Sequence, residues 1–185
     1  MQAQTKNETP SLKSENLAQF LQNEFKKYKS AADFVSFKLM RENTRHYSVR
    51  NGKAEDLTEF VDLGLMIEVM VSGHIGYGAT CELTADGIKR AFERALNMTR
   101  SSASRAVYKF DKNIRPAVQG SYSTTSKIRL DKLSLTEIFD YLKKTSLGLK
   151  TTDKIISAVS DAMLIKCKQN IFRQKAQKSF KSSTL

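Results

Sequence analysis

Histidine is nearly missing from this chain: His46 and His74 are the only two among 185 residues. A zinc peptidase needs two neutral imidazoles at helical spacing and a glutamate that takes a proton from the metal-bound water. Both histidines fall in stretches that read as strand or turn, and no second histidine stands at helical spacing from either. No zinc ligand set can be assembled from His46, His74, Cys81 and Cys167, so no metal, cofactor or catalytic residue is assigned. His74 reads as a turn residue and His46 as an exposed strand residue. Two cysteines, Cys81 and Cys167, are too few and too far apart for a disulfide framework, and read as small buried hydrophobes. There is no tryptophan and only two prolines. Glycine-rich phosphate loops, internal repeats and a serine or cysteine elbow with an available histidine are all missing. The first residues lack the basic, apolar and cleavage regions of a signal peptide, and no apolar run could cross a bilayer. The expectation is a reduced cytoplasmic protein with no membrane partner.

The charge is lopsided. The chain carries a formal net charge of +12, yet residues 1–30 contribute +2, residues 31–100 contribute −1, residues 101–168 contribute +7 and residues 169–185 contribute +4. The basic excess therefore lies in the flanks of a nearly neutral centre. It permits nucleic acid, an anionic surface or an acidic partner without selecting one. Lys109, Lys112, Arg115, Lys127, Arg129 and Lys132 are interleaved with Tyr108, Phe110 and Tyr122, and aromatic residues among cations can stack bases. No helix-turn-helix, RNA-binding sheet motif or zinc finger accompanies them. A small basic nucleic-acid-binding protein is therefore the alternative reading, with non-specific binding at most.

Residues 61–100 organise the rest. Leu65, Ile67, Val69 and Val71 alternate with Met66, Glu68, Met70 and Ser72, the pattern of a strand. Gly73-His74 turns it into a second alternating run, Ile75, Tyr77, Ala79 and Cys81, whose other face carries Gly76, Gly78 and Thr80. Two glycines on one face imply a bulge or the close approach of a helix. Thr84 then caps a helix, with Leu83 and Ile88 as a staple and Ile88, Ala91, Phe92, Ala95 and Leu96 as its apolar face.

Upstream, Ser14 caps a helix with Leu17, Phe20, Leu21, Phe25 and Tyr28 on one face. Val35, Phe37 and Leu39 belong to a strand that turns at Glu42-Asn43 and returns over residues 44–50. Asn51-Gly52 is a type I′ hairpin signal, and residues 53–62 form the next strand. Downstream, residues 101–122 read as a connector, Ser134 and Glu137 as a capping box for a helix faced by Leu135, Ile138, Phe139 and Leu142 and ended at Gly148, and residues 154–167 as a strand.

These residues also carry a resemblance. Gly64-Leu65-Met66-Ile67-Glu68-Val69, then Ser72-Gly73-His74-Ile75-Gly76-Tyr77-Gly78-Ala79-Thr80, then Leu83-Thr84-Ala85-Asp86-Gly87-Ile88 resembles the N-terminal domain of the TldD/PmbA metallopeptidase family. Ala32-Asp33-Phe34-Val35-Ser36-Phe37 and Val49-Arg50-Asn51-Gly52-Lys53 resemble further elements of that domain. The chain departs from the pattern with Glu68 in place of an arginine and with Gly78 inserted before Ala79. The resemblance implies a parent activity of zinc-dependent proteolysis of peptides or unfolded segments. It also implies that the zinc-binding His-Glu-x-x-x-His helix belongs to a later domain, which these residues do not include.

The fold expected is α+β: an antiparallel β-meander with helices packed on one face. Residues 1–13 are expected to be a flexible N-terminus, 14–168 the TldD/PmbA-like domain, and 169–185 a basic tail, disordered or produced by a reading-frame slip near Arg173. The function expected is that of a TldD/PmbA-like N-terminal domain without the zinc site, inactive alone and acting through a homo- or hetero-oligomer.

Overall fold

The computed structural model describes residues 14–111, 120–125, 127, 129–173 and 176–183; the expected flexible segment 1–13 lies outside them. In chain order the elements are α1 (Ser14–Tyr28), β1 (Phe34–Arg50), β2 (Lys53–Val71), β3 (His74–Thr80), α2 (Ala85–Ala103), β4 (Ser121–Ser123), a short 3-10 turn (Leu130–Lys132), α3 (Leu135–Gly148), β5 (Val159–Arg173) and β6 (Ala176–Ser183). The strands form one sheet in the order β3-β2-β1-β5-β6-β4. Strands β3, β2, β1 and β5 pair antiparallel and β4 joins β6 in parallel. The fold is α+β, as the sequence implies. No helix among the described residues is long and apolar enough to cross a membrane.

The core follows from strand alternation. Val35, Phe37 and Leu39 of β1 stand opposite Val69, Ile67 and Leu65 of β2, and Phe172 of β5 stands opposite Phe37, so all share one face. Leu17, Leu21 and Phe25 of α1 and Ile88, Ala91, Phe92 and Ala95 of α2 close over it. Phe25 meets Phe37 edge-on at 5.5 Å between ring centroids. A smaller cluster at the far end of the same face joins Tyr47 and Val49 to Ile138 and Leu142 of α3. All three helices therefore lie on one side of the sheet.

Three expectations change. The turn at Glu42-Asn43 does not exist: β1 runs unbroken from Phe34 to Arg50, paired with β2 on one side and β5 on the other. Residues 53–62 are likewise the first half of β2, so this stretch holds two long strands and the seven-residue β3 where the sequence suggested five strands. The connector begins later than residue 101, because α2 continues to Ala103. At the C-terminal end, β5 passes residue 168 and reaches Arg173, because Phe172 is buried in the main core.

Asn51 and Gly52 take φ values of 49° and 76°, as a type I′ turn requires. The turn is also clasped from outside. The Asn51 side chain accepts from the Ala158 N–H at 2.9 Å and donates to the Ile156 carbonyl, while Gly52 N–H donates to the Ser146 hydroxyl of α3 at 2.9 Å.

α3 begins with the expected capping box: Glu137 N–H donates to Ser134 Oγ, and Ser134 N–H donates to the Glu137 carboxylate at 2.8 Å. The Ser134 hydroxyl and N–H hold the Glu137 carboxyl below its ordinary range. A lowered folded pKa places this stabilisation above the ordinary glutamate range and removes it as the pH falls through the folded value. Ser134→Ala is expected to cost about 1 kcal/mol and to speed amide exchange in the first turn of α3 at neutral pH. The difference from the parent chain should shrink on acidification.

Candidate functional site

The face of the sheet opposite the helices is exposed in part: Phe34, Ser36, Thr44 and Met70 on it are buried. Alternation places Ile75, Tyr77 and Ala79 of β3 there, with Phe60, Met66 and Met70 of β2, Met40, Thr44 and His46 of β1, and Met163, Ile165 and Cys167 of β5. Met40, Phe60, Tyr77 and Met163 are exposed.

At one corner, where β3 ends and β2 continues, lies a cavity of about 610 Å³. Met40, Gly64 and Met66 line it with Lys38, Asp62 and Cys81. Its rim is fixed from α2: Arg94 donates to the Ala79 carbonyl at 2.5 Å. Glu82 pairs with Arg90 and accepts from the Thr84 hydroxyl, and these contacts, Arg90 foremost, hold its carboxyl below the usual range. Thr84 is the N-cap of α2 and accepts from Gly87 N–H, as its position in the sequence predicts.

The glycines explain how α2 comes this close. A Cβ on Gly78 would collide with the Ala91 carbonyl oxygen, and one on Gly76 with the Ala95 carbonyl and the Thr99 hydroxyl. Of the two readings of these glycines, the close approach of a helix is the one the structure holds. On the outer edge of β3, Tyr77 N–H points away from β2 to the Met98 sulfur at 3.3 Å. Met98 and Arg94 thus occupy that edge.

His46 lies between two carboxylates, with Nδ1 3.5 Å from Asp56 and Nε2 3.6 Å from Asp161. The Thr58 hydroxyl is the main influence holding the Asp56 carboxyl below its ordinary range, and His46 adds to it. The two acids approach opposite nitrogens of one ring, so the three groups cannot converge on a single ion. Zinc does not fit there. Among the described residues no three His, Cys, Asp or Glu side chains are gathered as metal ligands are.

His74 differs from expectation: the turn is Ser72-Gly73, both at positive φ, and His74 is the buried first residue of β3. It sits six residues from Thr80, roughly 20 Å along the strand, so it cannot activate Cys81. The cysteines are corrected too. Cys81 is exposed at the cavity mouth because the chain leaves the sheet there, and Cys167 is half-buried on the face opposite the helices. Within the basic flank, Lys112 and Arg115 lie outside the described residues. Tyr108 and Phe110 stack edge-to-face on each other at 5.2 Å, and Phe110 N–H donates to the Gly73 carbonyl. That segment is docked on the β2–β3 turn.

The site's remaining feature is one that residue types alone do not disclose. β3 pairs with β2 only from Leu65 to Val71, whereas β2 starts at Lys53. Residues 57–63 consequently have β1 on one side and no strand among the described residues on the other, with Leu57, Phe60 and Val61 about half exposed.

Comparison with known proteins agrees with the fold. Residues 38–99 match the family model described as PmbA/TldA metallopeptidase domain 1, the family whose N-terminal domain the sequence resembles. No curated protein matches the chain. Among solved structures, TldE from Thermococcus kodakarensis matches with a TM-score of 0.59 at 13% identity, over 89% of this chain and 37% of that one. A candidate modulator of a DNA gyrase from Thermotoga maritima matches at 0.58 and 20% identity, over 90% and 37%. Another from Bacteroides thetaiotaomicron matches at 0.60 and 18%, over 92% and 39%. These likenesses establish the fold, and the chain spans less than two-fifths of each of those structures.

Proposed function

We propose, from the match of residues 38–99 to the first PmbA/TldA domain, that this chain is an association module of a TldD/PmbA-like assembly. Zinc-dependent proteolysis of peptides or unfolded segments is the parent activity of such an assembly, and its catalytic residues lie outside the present sequence. The observation that carries this reading is the pairing of a recognisable first-domain fold with a sheet face that leaves Met40, Phe60, Tyr77 and Met163 exposed, and only two histidines, placed apart on different strands. Neither His46, occupied on both nitrogens by acids, nor buried His74 can begin a zinc site. The nucleic-acid alternative gains little from geometry: Tyr108 and Phe110 meet edge to face in a segment bonded to the β2–β3 turn through Phe110 N–H and the Gly73 carbonyl.

The purified chain is expected to hold no stoichiometric zinc and to cleave no unfolded peptide. Metal analysis and a peptide-release assay check this. One tightly held zinc per chain, lost on changing His46 or His74, would overturn it.

A further inference from the structure

The end of the sheet where β1 turns into β2 carries an apolar patch. Leu147 and Leu149 at the end of α3 are about half exposed, and Ile156 in the loop that follows is 85% exposed. The Asn51-Gly52 turn gathers them. Leu147 lies against Gly52, where an added Cβ would meet three of its side-chain carbons at 2.9–3.2 Å. The Asn51 amide donates to the Ile156 carbonyl at 3.1 Å and accepts from Ala158 N–H, and Arg50 donates to the Ser157 hydroxyl at 2.8 Å. On the other side, Ile155 N–H donates to the Thr152 carbonyl. The backbone around Ile156 is thus pinned, and its side chain is held out in water. Burial would be favourable for each of these side chains, so a fixed cluster of them marks a surface that meets something else.

Lysines surround the cluster. Lys143 and Lys144 stand one helical turn before Leu147, Lys150 follows Leu149, Lys154 lies two residues before Ile156, and Lys53 follows Gly52. All five are exposed, and none forms an ion pair among the described residues. Arg50 beside them is closed by Glu55 at 2.6 Å. Against the five stand Asp140 and Asp153, while Asp56 is turned to His46 on the sheet face.

We propose that this tip docks on an anionic membrane surface, with the three aliphatic side chains entering the interface and the lysines meeting lipid phosphates. Of the partners that the positive charge permits, charge complementarity and side-chain type together select this one. A nucleic acid would be met by aromatic or arginine side chains that stack on bases, whereas the apolar members here are all aliphatic. Protein interfaces are poor in lysine and favour aromatic anchors. A membrane surface suits the combination found: aliphatic side chains reach the acyl boundary, and lysines lay their apolar stems beside them while the ammonium groups stay among the headgroups. No spanning segment is needed. The inference therefore departs from the expectation of no membrane partner, which rested on the want of a span, and it is independent of the association reading above.

Because the chain has no tryptophan, Ile156→Trp supplies a single indole reporter at the apex. With vesicles of phosphatidylcholine and phosphatidylglycerol in equal parts at low ionic strength, the chain should cosediment and the indole emission should move to shorter wavelength. Pure phosphatidylcholine should give neither, and added salt should reverse the binding. Tyr141→Trp, about 120° round α3 from Leu147, should show no shift. In the chain with its own Ile156, Lys143→Gln with Lys144→Gln should weaken vesicle binding about twentyfold and Ile156→Ser about tenfold. These positions are exposed, so the far-ultraviolet circular dichroism should not change. Lys26→Gln with Lys29→Gln removes the same charge at the end of α1 and should leave binding nearly unchanged. No binding to the mixed vesicles at low salt overturns the proposal. An equal loss from the α1 pair overturns it by making net charge the cause, and an unshifted indole at position 156 on vesicle-bound chain overturns the insertion. A DNA duplex held through Lys143 and Lys144 by a chain that ignores vesicles would make nucleic acid the occupant instead.

Discussion

Alanine in place of Gly78 is expected to lower stability by about 3 kcal/mol, the upper end of what overpacking costs, and to loosen α2 from the sheet. A single methyl group does this because it meets the Ala91 carbonyl of α2, backbone that cannot rotate aside. Relief requires the whole helix to move outward. That would lift Ala91 and Ala95, both fully buried, off the core and draw Met98 and Arg94 away from the β3 edge. Urea denaturation should show a lower midpoint with a slope little changed. Gly148→Ala is the control: nothing lies within 4 Å of the position its Cβ would take and its φ is not positive, so it should be neutral or stabilising. Equal losses from both variants would show that chain flexibility, not the close approach, sets the cost.

Phe37→Ala is expected to cost about 3–5 kcal/mol. The Phe37 ring is fully buried, and it touches Phe25 and Tyr28 of α1 at centroid distances of 5.5 and 6.0 Å. Its loss leaves a void bounded by α1 and two strands, which close-packed neighbours fill only in part. Tyr141→Ala, on the exposed side of α3, should stay within about 0.5 kcal/mol of the parent. Thermal unfolding of both variants in parallel checks the contrast.

How far the sequence discloses this structure depends on where each stretch packs. The helices were legible because each shows one buried stripe and two carry side-chain caps, Thr84 for α2 and Ser134 for α3. The Asn51-Gly52 turn was legible because few residue pairs tolerate its dihedral angles. The unbroken run of β1 was not. Its middle, residues 41–46, crosses the gap between the two hydrophobic clusters, where Asn43 and Arg45 line a hollow with Glu59, Lys166, Leu130 and Leu164. With no core beneath them, those positions lose the apolar alternation that marks a strand, and Glu42-Asn43 reads as a turn. His74 was misplaced by one residue because Ser72 accepts a positive φ that non-glycine residues seldom adopt. The free edge of β2 was hidden for another reason: it arises from the difference in length between β2 and β3, a property of the pair and of neither strand alone.

The unbroken β1 also governs the order in which the chain can assemble. Its contacts with β2 close across a two-residue turn, whereas its contacts with β5 join residues more than a hundred positions apart. Loop closure over such a span opposes pairing until other contacts offset it. The β1–β2–β3 unit with α2 is therefore the part able to form first, and β5 is the strand that covers the remaining edge of β1 and joins it to the rest of the sheet. Until β5 docks, β1 presents a second unpaired edge seventeen residues long, and Phe172 is absent from the core. During synthesis that interval lasts at least as long as the ribosome takes to deliver everything from Leu83 to Arg173. Slow passage through it would expose more pairing surface than the finished domain ever does, so aggregation in this chain is a matter of timing as well as of final stability.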